Sequence, residues 1–251
     1  MQSYEIPLHP VLEVSIGGSV VEKRPSSFKL ATQRGFHSVV SRLLYPADSE
    51  VGASGDDITV SLASDDRTDL YFTGKVYSAD INGSYRELLL TDGYKKLCDT
   101  DFTAAYRKEK AGTILDDILG AAGISETAIT IPEVEMARFS TQTVSARICI
   151  DLLADALKGH GAEGLLYFFD EKDVFHFGTP DDTGKNEGEV FAFETGKNIV
   201  RKGAGFIEVL PRPVRHTQNL TVDGKEYQTI RTDLTVSRGI SRLTLYLKEG
   251  A

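Results

Sequence analysis

Tryptophan is absent from this 251-residue chain, cysteine and methionine occur twice each, and no apolar run approaches the length needed to cross a bilayer. The two cysteines, Cys98 and Cys149, are far apart and outside any CxxC pattern, so they build neither a disulfide framework nor a four-ligand metal site and are expected as buried free thiols. Met1 to Glu13 lacks the basic start and apolar core of a signal peptide, and the chain is expected to be made in the cytoplasm. A basic excess is lacking too, with 28 Lys and Arg against 37 Asp and Glu for a net charge of −9. Residues 1–97 hold 10 basic and 13 acidic side chains, residues 98–178 hold 7 and 14, and residues 179–251 hold 11 and 10. No third carries the basic stripe of a sequence-specific nucleic-acid binder.

Catalytic constellations are missing as well. There is no HExxH, no GxSxG and no pair of histidines at ligand spacing; His9, His37, His160, His176 and His216 are scattered one to an element. His176 alternates with Phe175 and Phe177 and reads as a strand residue on the polar side of a hairpin. Thr-Gly-Lys-Asn occurs at 183–186 and 195–198, without the upstream glycine and following hydroxyl of a phosphate loop, and marks turns. Asp116-Asp117 and Asp181-Asp182 are adjacent pairs whose side chains diverge, unlike paired catalytic carboxylates. No catalytic, cofactor-binding or metal-binding residue is assigned.

What is present is β pattern, then helical pattern, then β pattern again. Residues 11–97 read as strands separated by Gly and Pro signals. From Thr113 the apolar period changes: Ile114, Leu115, Ile118, Leu119 and Ala122 share a helical face, with Thr113 as a cap and Gly123 as a stop. A second helix is expected over Ala146 to Lys158, then a hairpin in "GLLYFFDEKDVFHFG" with its turn over Asp170 to Asp173. Strand pattern resumes after Pro180. The expected fold class is mainly β with an α+β insertion, and the expected domains are a first β-barrel at 1–97, an α+β domain at 98–178 and a second β-barrel at 179–251.

The stretch "DLYFTGKVYSADINGSYRELLLTDGYKKL", residues 69–97, carries the clearest local signal. Asn82-Gly83 between two β-compatible runs predicts a two-residue type I′ turn. That turn sets Tyr77 opposite Leu88, Val76 opposite Leu89 and Lys75 opposite Leu90, and leaves apolar residues on both faces. The stretch is similar to the FTG-containing strand pair of phage baseplate hub proteins of the late control D type, related to the hub part of type VI secretion spike proteins. The resemblance continues through "KAGTILDDILGAAGI", the hairpin "LLYFFDEKDVFHFG" and the "GKNI" before the second β segment, and covers about residues 10–245.

The resemblance implies a structural protein without enzyme activity or cofactor, adapting the sixfold tail tube to the threefold central spike. Its implied partners are two further copies in a homotrimer, the tail tube protein, the spike protein, and DNA passing through the channel without specific binding. Its implied location is the virion tail baseplate or a tail-like particle, assembled in the bacterial host cytoplasm. Relatives that carry a fused lysozyme or spike are longer than this chain, so cell-wall cleavage is not expected of it. Tyr77 and Leu88 are the expected subunit-interface residues. An acidic channel wall repels phosphates, and part of the acid excess is expected there. The competing readings are a carbohydrate- or peptide-binding β module with an α+β insertion, which the missing tryptophan disfavours, and a hydrolase with an unrecognised site.

Overall fold

The computed structural model describes residues 10–34, 40–63, 67–183, 191–237 and 240–249. The first strands are β1 (Val11–Ile16), β2 (Ser19–Val20), β3 (Ser27–Gln33), β4 (Val40–Pro46), β5 (Asp57–Ala63), β6 (Thr68–Asn82) and β7 (Tyr85–Thr91). The middle region comprises α1 (Tyr94–Asp99), β8 (Asp101–Tyr106), β9 (Glu109–Lys110), α2 (Ala111–Ala121), β10 (Thr127–Ile129), β11 (Glu135–Met136), β12 (Phe139–Ser145), α3 (Ala146–Lys158), β13 (Leu166–Phe169), β14 (Phe175–Gly178) and α4 (Pro180–Thr183). The last strands are β15 (Phe191–Phe193), β16 (Ile199–Gly203), β17 (Phe206–Val209), β18 (Asn219–Val222), β19 (Lys225–Ser237) and β20 (Ile240–Glu249). The fold is mainly β with a small α+β part.

Two compact units divide the chain: Gly93–Thr183 forms one, and the segments before and after it together form the other. In the β unit both segments join one long sheet, in the order β16-β17-β20-β19-β3-β4-β7-β6-β5-β1-β2, with β18 paired to β19 and β15 paired to β18. The joint is β3 against β19, antiparallel from Ser27 opposite Ser237 to Gln33 opposite Arg231. Period-two burial explains why this holds. Phe28 and Leu30 on β3, Leu43 on β4, Leu88 and Leu90 on β7, Leu234 and Val236 on β19, and Leu243 and Leu245 on β20 all point into one core. Burying each such side chain contributes about 1.5–3 kcal/mol before the entropy cost of ordering it. The alternating residues remain half-exposed on the other face, as expected for an antiparallel sheet wet on one side.

The α+β unit is built from helical stripes and a ring layer. Ile114, Leu115, Ile118 and Leu119 of α2, Cys149, Ile150, Leu153 and Leu157 of α3, and Tyr167, Phe169, Phe175 and Phe177 of the β13–β14 hairpin share its core. α3 spans the expected residues and starts at Ser145, whose Oγ accepts from the Ile148 N–H at 3.5 Å. α2 differs from expectation: it begins at Ala111, with Lys110 at the N-cap and no side-chain cap bond, while Thr113 lies exposed within the first turn. The cause is tertiary. β9 pairs with β11, the Ala111 N–H donates to Val134 O at 2.9 Å, and buried Ala111 enters the core, so pairing rather than a cap fixes the start. The stop is as expected: Gly123 takes φ +66° and the Ile124 N–H closes back on Leu119 O at 2.9 Å.

Candidate functional site

The β6–β7 hairpin is the element on which the sequence placed its interface residues, and its register departs from expectation. Asn82 stays in the ladder opposite Tyr85, so the loop is Gly83-Ser84, with Gly83 at φ +61° in the first loop position that a type II′ turn reserves for glycine. Ala79, not Tyr77, lies opposite Leu88, and Val76 lies opposite Leu90. The ladder shifts between Val76 and Ser78, which leaves Tyr77 as the extra residue of a β-bulge. The physical reason is that glycine carries the positive φ alone, which moves the loop by one residue and the facing partner by two, and the bulge at Tyr77 then gives one back. Leu88 is therefore fully buried in its own core, whereas Tyr77 is 54% exposed. Of the two expected interface residues, only Tyr77 presents itself to solvent. Tyr85, Leu89 and Ile81 stand exposed on the same hairpin.

The FTG signature has a packing cause. At Gly74 a side-chain Cβ would meet Thr91 O of β7 at 2.3 Å and the Phe72 ring at 2.8 Å, so the buried Phe72 ring occupies the space that a residue at 74 would need. The same device recurs at Gly203 beneath Phe206, its cross-strand partner, with 2.2 Å to the ring. Sequence reading recognised the pattern without finding this reason, for which cross-strand register is required.

The open face of the long sheet is a polar surface reading across both chain segments. On its C-terminal part Arg201 stacks over Phe206 at 5.2 Å, Phe206 adjoins Tyr246 with centroids 6.1 Å apart, and Arg231 stacks over Tyr246 at 5.1 Å. Arg231 is held by Asp233 through two bonds of 2.8 and 2.7 Å, which fix the position of its guanidinium over the ring. Glu208 reaches Arg201 at 3.5 Å and Arg242 at 3.4 Å. Arg42 donates to Glu87 at 2.9 Å. None of this composes a nucleophile, base and orienter within reach of one another; it composes a charged, aromatic contact surface.

The remaining candidates from sequence take structural roles. His176 Nε2 lies 3.0 Å from Asp170 Oδ2, with the ring stacked on Phe168 at a centroid distance of 5.0 Å. Asp170 Oδ1 also accepts from the Lys172 and Val174 N–H groups at 2.9 and 3.0 Å, closing the β13–β14 turn. Burial pushes the Asp170 carboxyl up, but the His176 bond and the two backbone donors outweigh it and hold the group below its ordinary range. Asp116 and Asp117 are exposed on α2, and Asp117 accepts from the Tyr106 hydroxyl at 2.8 Å. Asp182 and Thr179 cap the short α4. The second Thr-Gly-Lys-Asn is a turn, tied down where Asp223 accepts from Thr195 N and Oγ1 and from Lys202 Nζ, bonds that hold the Asp223 carboxyl down at about 2. The first, beyond Thr183, lies outside the described residues, as do His9 and His37. Both cysteines are free thiols, but only Cys149 is buried as expected; Cys98, on α1, is exposed, and in both partial burial raises the thiol pKa, the reverse of a reactive cysteine. Among the described residues no cluster of His, Cys, Asp and Glu could hold a metal, and no helix is long and apolar enough to cross a membrane.

No family model matches the chain, and no curated protein matches it in sequence. Solved structures do match. The 43 kDa tail protein of prophage MuSo2 from Shewanella oneidensis superposes with a TM-score of 0.73 at 9% identity, over 96% of this chain and 98% of that one. The tail protein from Neisseria meningitidis MC58 gives 0.71 at 11% identity, over 96% of each chain. A component of the E. coli type VI secretion system, itself described as similar to the T4 bacteriophage tail proteins gp27 and gp5, gives 0.68 at 12% identity over 95% of this chain and 77% of that one. This chain has the fold of the phage-tail-related baseplate and spike proteins, along nearly its whole described length.

Proposed function

We propose that the protein is a structural baseplate hub of a phage tail or related injection machine, adapting a sixfold tail tube to a threefold central spike and catalysing nothing. The observation that carries this is the end-to-end match to the MuSo2 tail protein, which spans both β segments and the α+β unit between them. A shared fold alone is analogy, and the surface adds physical support, since it offers stacked and ion-paired contact groups in place of a catalytic constellation.

An adaptor of this kind presents six similar surfaces upward and three downward. A chain with two β segments, about 1–97 and 179–251, meets that requirement as a trimer. Each contact is heterologous, joining the first β segment of one copy to the second of the next, and three such contacts close the ring. Tyr77, with Tyr85, Leu89 and Ile81 on the same hairpin, supplies apolar surface for this contact, while Leu88 supports the hairpin from the core side. Obligate interfaces of this type bury about 2,000 Å² or more. The partners in this reading are the tail tube protein and the spike protein, DNA traverses the channel without sequence recognition, and the assembly forms in the host cytoplasm before residing in the virion baseplate. Electron microscopy of the purified chain with its spike protein tests the reading: end-on views are expected to show three copies as six lobes around a hole, and particles of one chain without a ring would overturn it.

A further inference from the structure

Asn82-Gly83 is the one Asn-Gly pair of the sequence, and it lies at the exposed tip of the β6–β7 hairpin. An asparagine amide is electrophilic at Cγ, and a following glycine leaves its backbone nitrogen unshielded because it carries no side chain. A Cβ placed on Gly83 would meet nothing within 4 Å, and the Gly83 N–H finds no acceptor among the described residues. The other described asparagines differ. Asn198 and Asn219 precede Ile199 and Leu220, whose side chains crowd the nitrogen, and the Asn198 amide is bonded at both ends, to Glu194 N at 2.7 Å and Ala192 O at 3.0 Å. The Asp-Gly pairs, which share this chemistry in slower form, are held too: the Gly93 N–H donates to Asp173 Oδ1 at 2.6 Å, and the Asp223 carboxylate is occupied by Thr195 and Lys202. Asn82 has a single restraint. Its Nδ2 donates to Glu87 Oε2 at 2.7 Å, while Glu87 Oε1 accepts from Arg42 at 2.9 Å. Glu87 lies directly opposite Asp80, a like-charge pair that costs stability, and the Arg42 and Asn82 donors offset that cost.

We propose that Asn82-Gly83 is a self-modifying site, deamidating through a succinimide, and that Glu87 is the residue that holds the reaction back. In the extended ladder the Asn82 side chain must rotate before Cγ reaches the Gly83 nitrogen, and the bond to Glu87 opposes that rotation. When it does rotate, the Gly83 nitrogen attacks Asn82 Cγ: the N–Cγ bond forms, the Cγ–Nδ2 bond breaks, and ammonia leaves with the proton that the Gly83 nitrogen gives up. Water then opens the ring. Addition at Cγ leaves aspartate, and addition at the main-chain carbonyl leaves isoaspartate, whose backbone runs through Cγ and gains a methylene. Either product replaces a donor by a carboxylate beside Asp80 and Glu87, where Arg42 is the neighbouring cation, so the tip closes less well than before. Loss of ammonia makes the step irreversible, and the product accumulates with the age of the protein.

The test follows the peptide that carries residue 82 by mass spectrometry, in the full folded chain held at mildly alkaline pH, for exchange of the amide NH2 for OH, with isoaspartate scored apart from aspartate. Asn82 should convert ahead of Asn198 and Asn219. Glu87→Ala should convert about tenfold faster or more, the factor expected when a hydrogen bond to a charged acceptor is lost. Glu87→Gln, whose carbonyl still accepts from Nδ2, should lie nearer the unaltered protein. In denaturant, where the restraint is gone, all three should convert at one rate. Folded Glu87→Ala no faster than the unaltered protein, or Glu87→Gln as fast as Glu87→Ala, would overturn the role of Glu87. Asn82 intact in folded Glu87→Ala while the denatured chain converts would overturn the site itself. Asn82→Asp, which reproduces one product, should melt below Asn82→Ser, which keeps a donor and adds no charge; equal melting would contradict the effect assigned to the new carboxylate.

Discussion

Tyr45 places a hydroxyl in the core of the β unit with no hydrogen-bond partner among the described residues, at zero exposure. A buried unpaired hydroxyl costs roughly 1–3 kcal/mol, so Tyr45→Phe is expected to raise stability by about 1 kcal/mol, read as a higher urea midpoint with an unchanged slope. Asp170 makes an opposite prediction. Its carboxyl is held below the ordinary range by His176 and two backbone donors, so the stability it contributes is complete above the unfolded carboxylate pKa and is lost as pH falls through the folded value. Melting curves should therefore fall more steeply below about pH 4 in the natural protein than in Asp170→Asn, which has no carboxyl to protonate. A parallel loss in both would remove Asp170 from the account. Tyr77 and Leu88 separate interface from core: Leu88→Ala should cost 2–5 kcal/mol, the range for an emptied core site. Tyr77→Ala should leave the monomer's stability nearly unchanged while weakening self-association. Sequence could not separate this pair, because one bulged residue inverts which side chain faces inward.

Among the elements, the hairpin's existence was legible and its register was not. Asn82-Gly83 announces a turn, but whether the loop is 82–83 or 83–84 depends on which residue takes the positive φ, and the Tyr77 bulge leaves no signature in the residue types. β6 carries a second irregularity opposite Val60 and Ser61, where Tyr71 is the extra residue. The two bulges bend a fifteen-residue strand that reads from sequence as straight. Helical faces were legible because a stripe of Ile114, Leu115, Ile118 and Leu119 repeats locally. The start of α2 was not, being set by β9–β11 pairing from elsewhere in the chain. The FTG strand gives the element's own prediction. Gly74→Ala drives a Cβ to 2.3 Å from Thr91 O and into the Phe72 ring, contacts that backbone and a buried ring cannot easily relax. A loss of about 1–3 kcal/mol is expected, measured by chemical denaturation; unchanged stability would mean the β6–β7 spacing is looser than drawn.

In the whole molecule, the order β, α+β, β was visible in changes of apolar period, whereas the fusion of both β segments into one sheet was not. Thr32 and Thr232 share a hydrogen bond of 2.7 Å across 200 residues of sequence, and no local pattern announces such a partner. That pairing gives the hub reading physical sense, because a single sheet continuous through both segments holds two interfaces in fixed relation within the β unit. The central claim is that three such chains close a ring. Light scattering on the purified chain, alone and mixed with a candidate spike protein, measures this directly. The account predicts a mass of three 27.5 kDa chains, alone or on meeting the spike; a mass of one chain in both samples would contradict it.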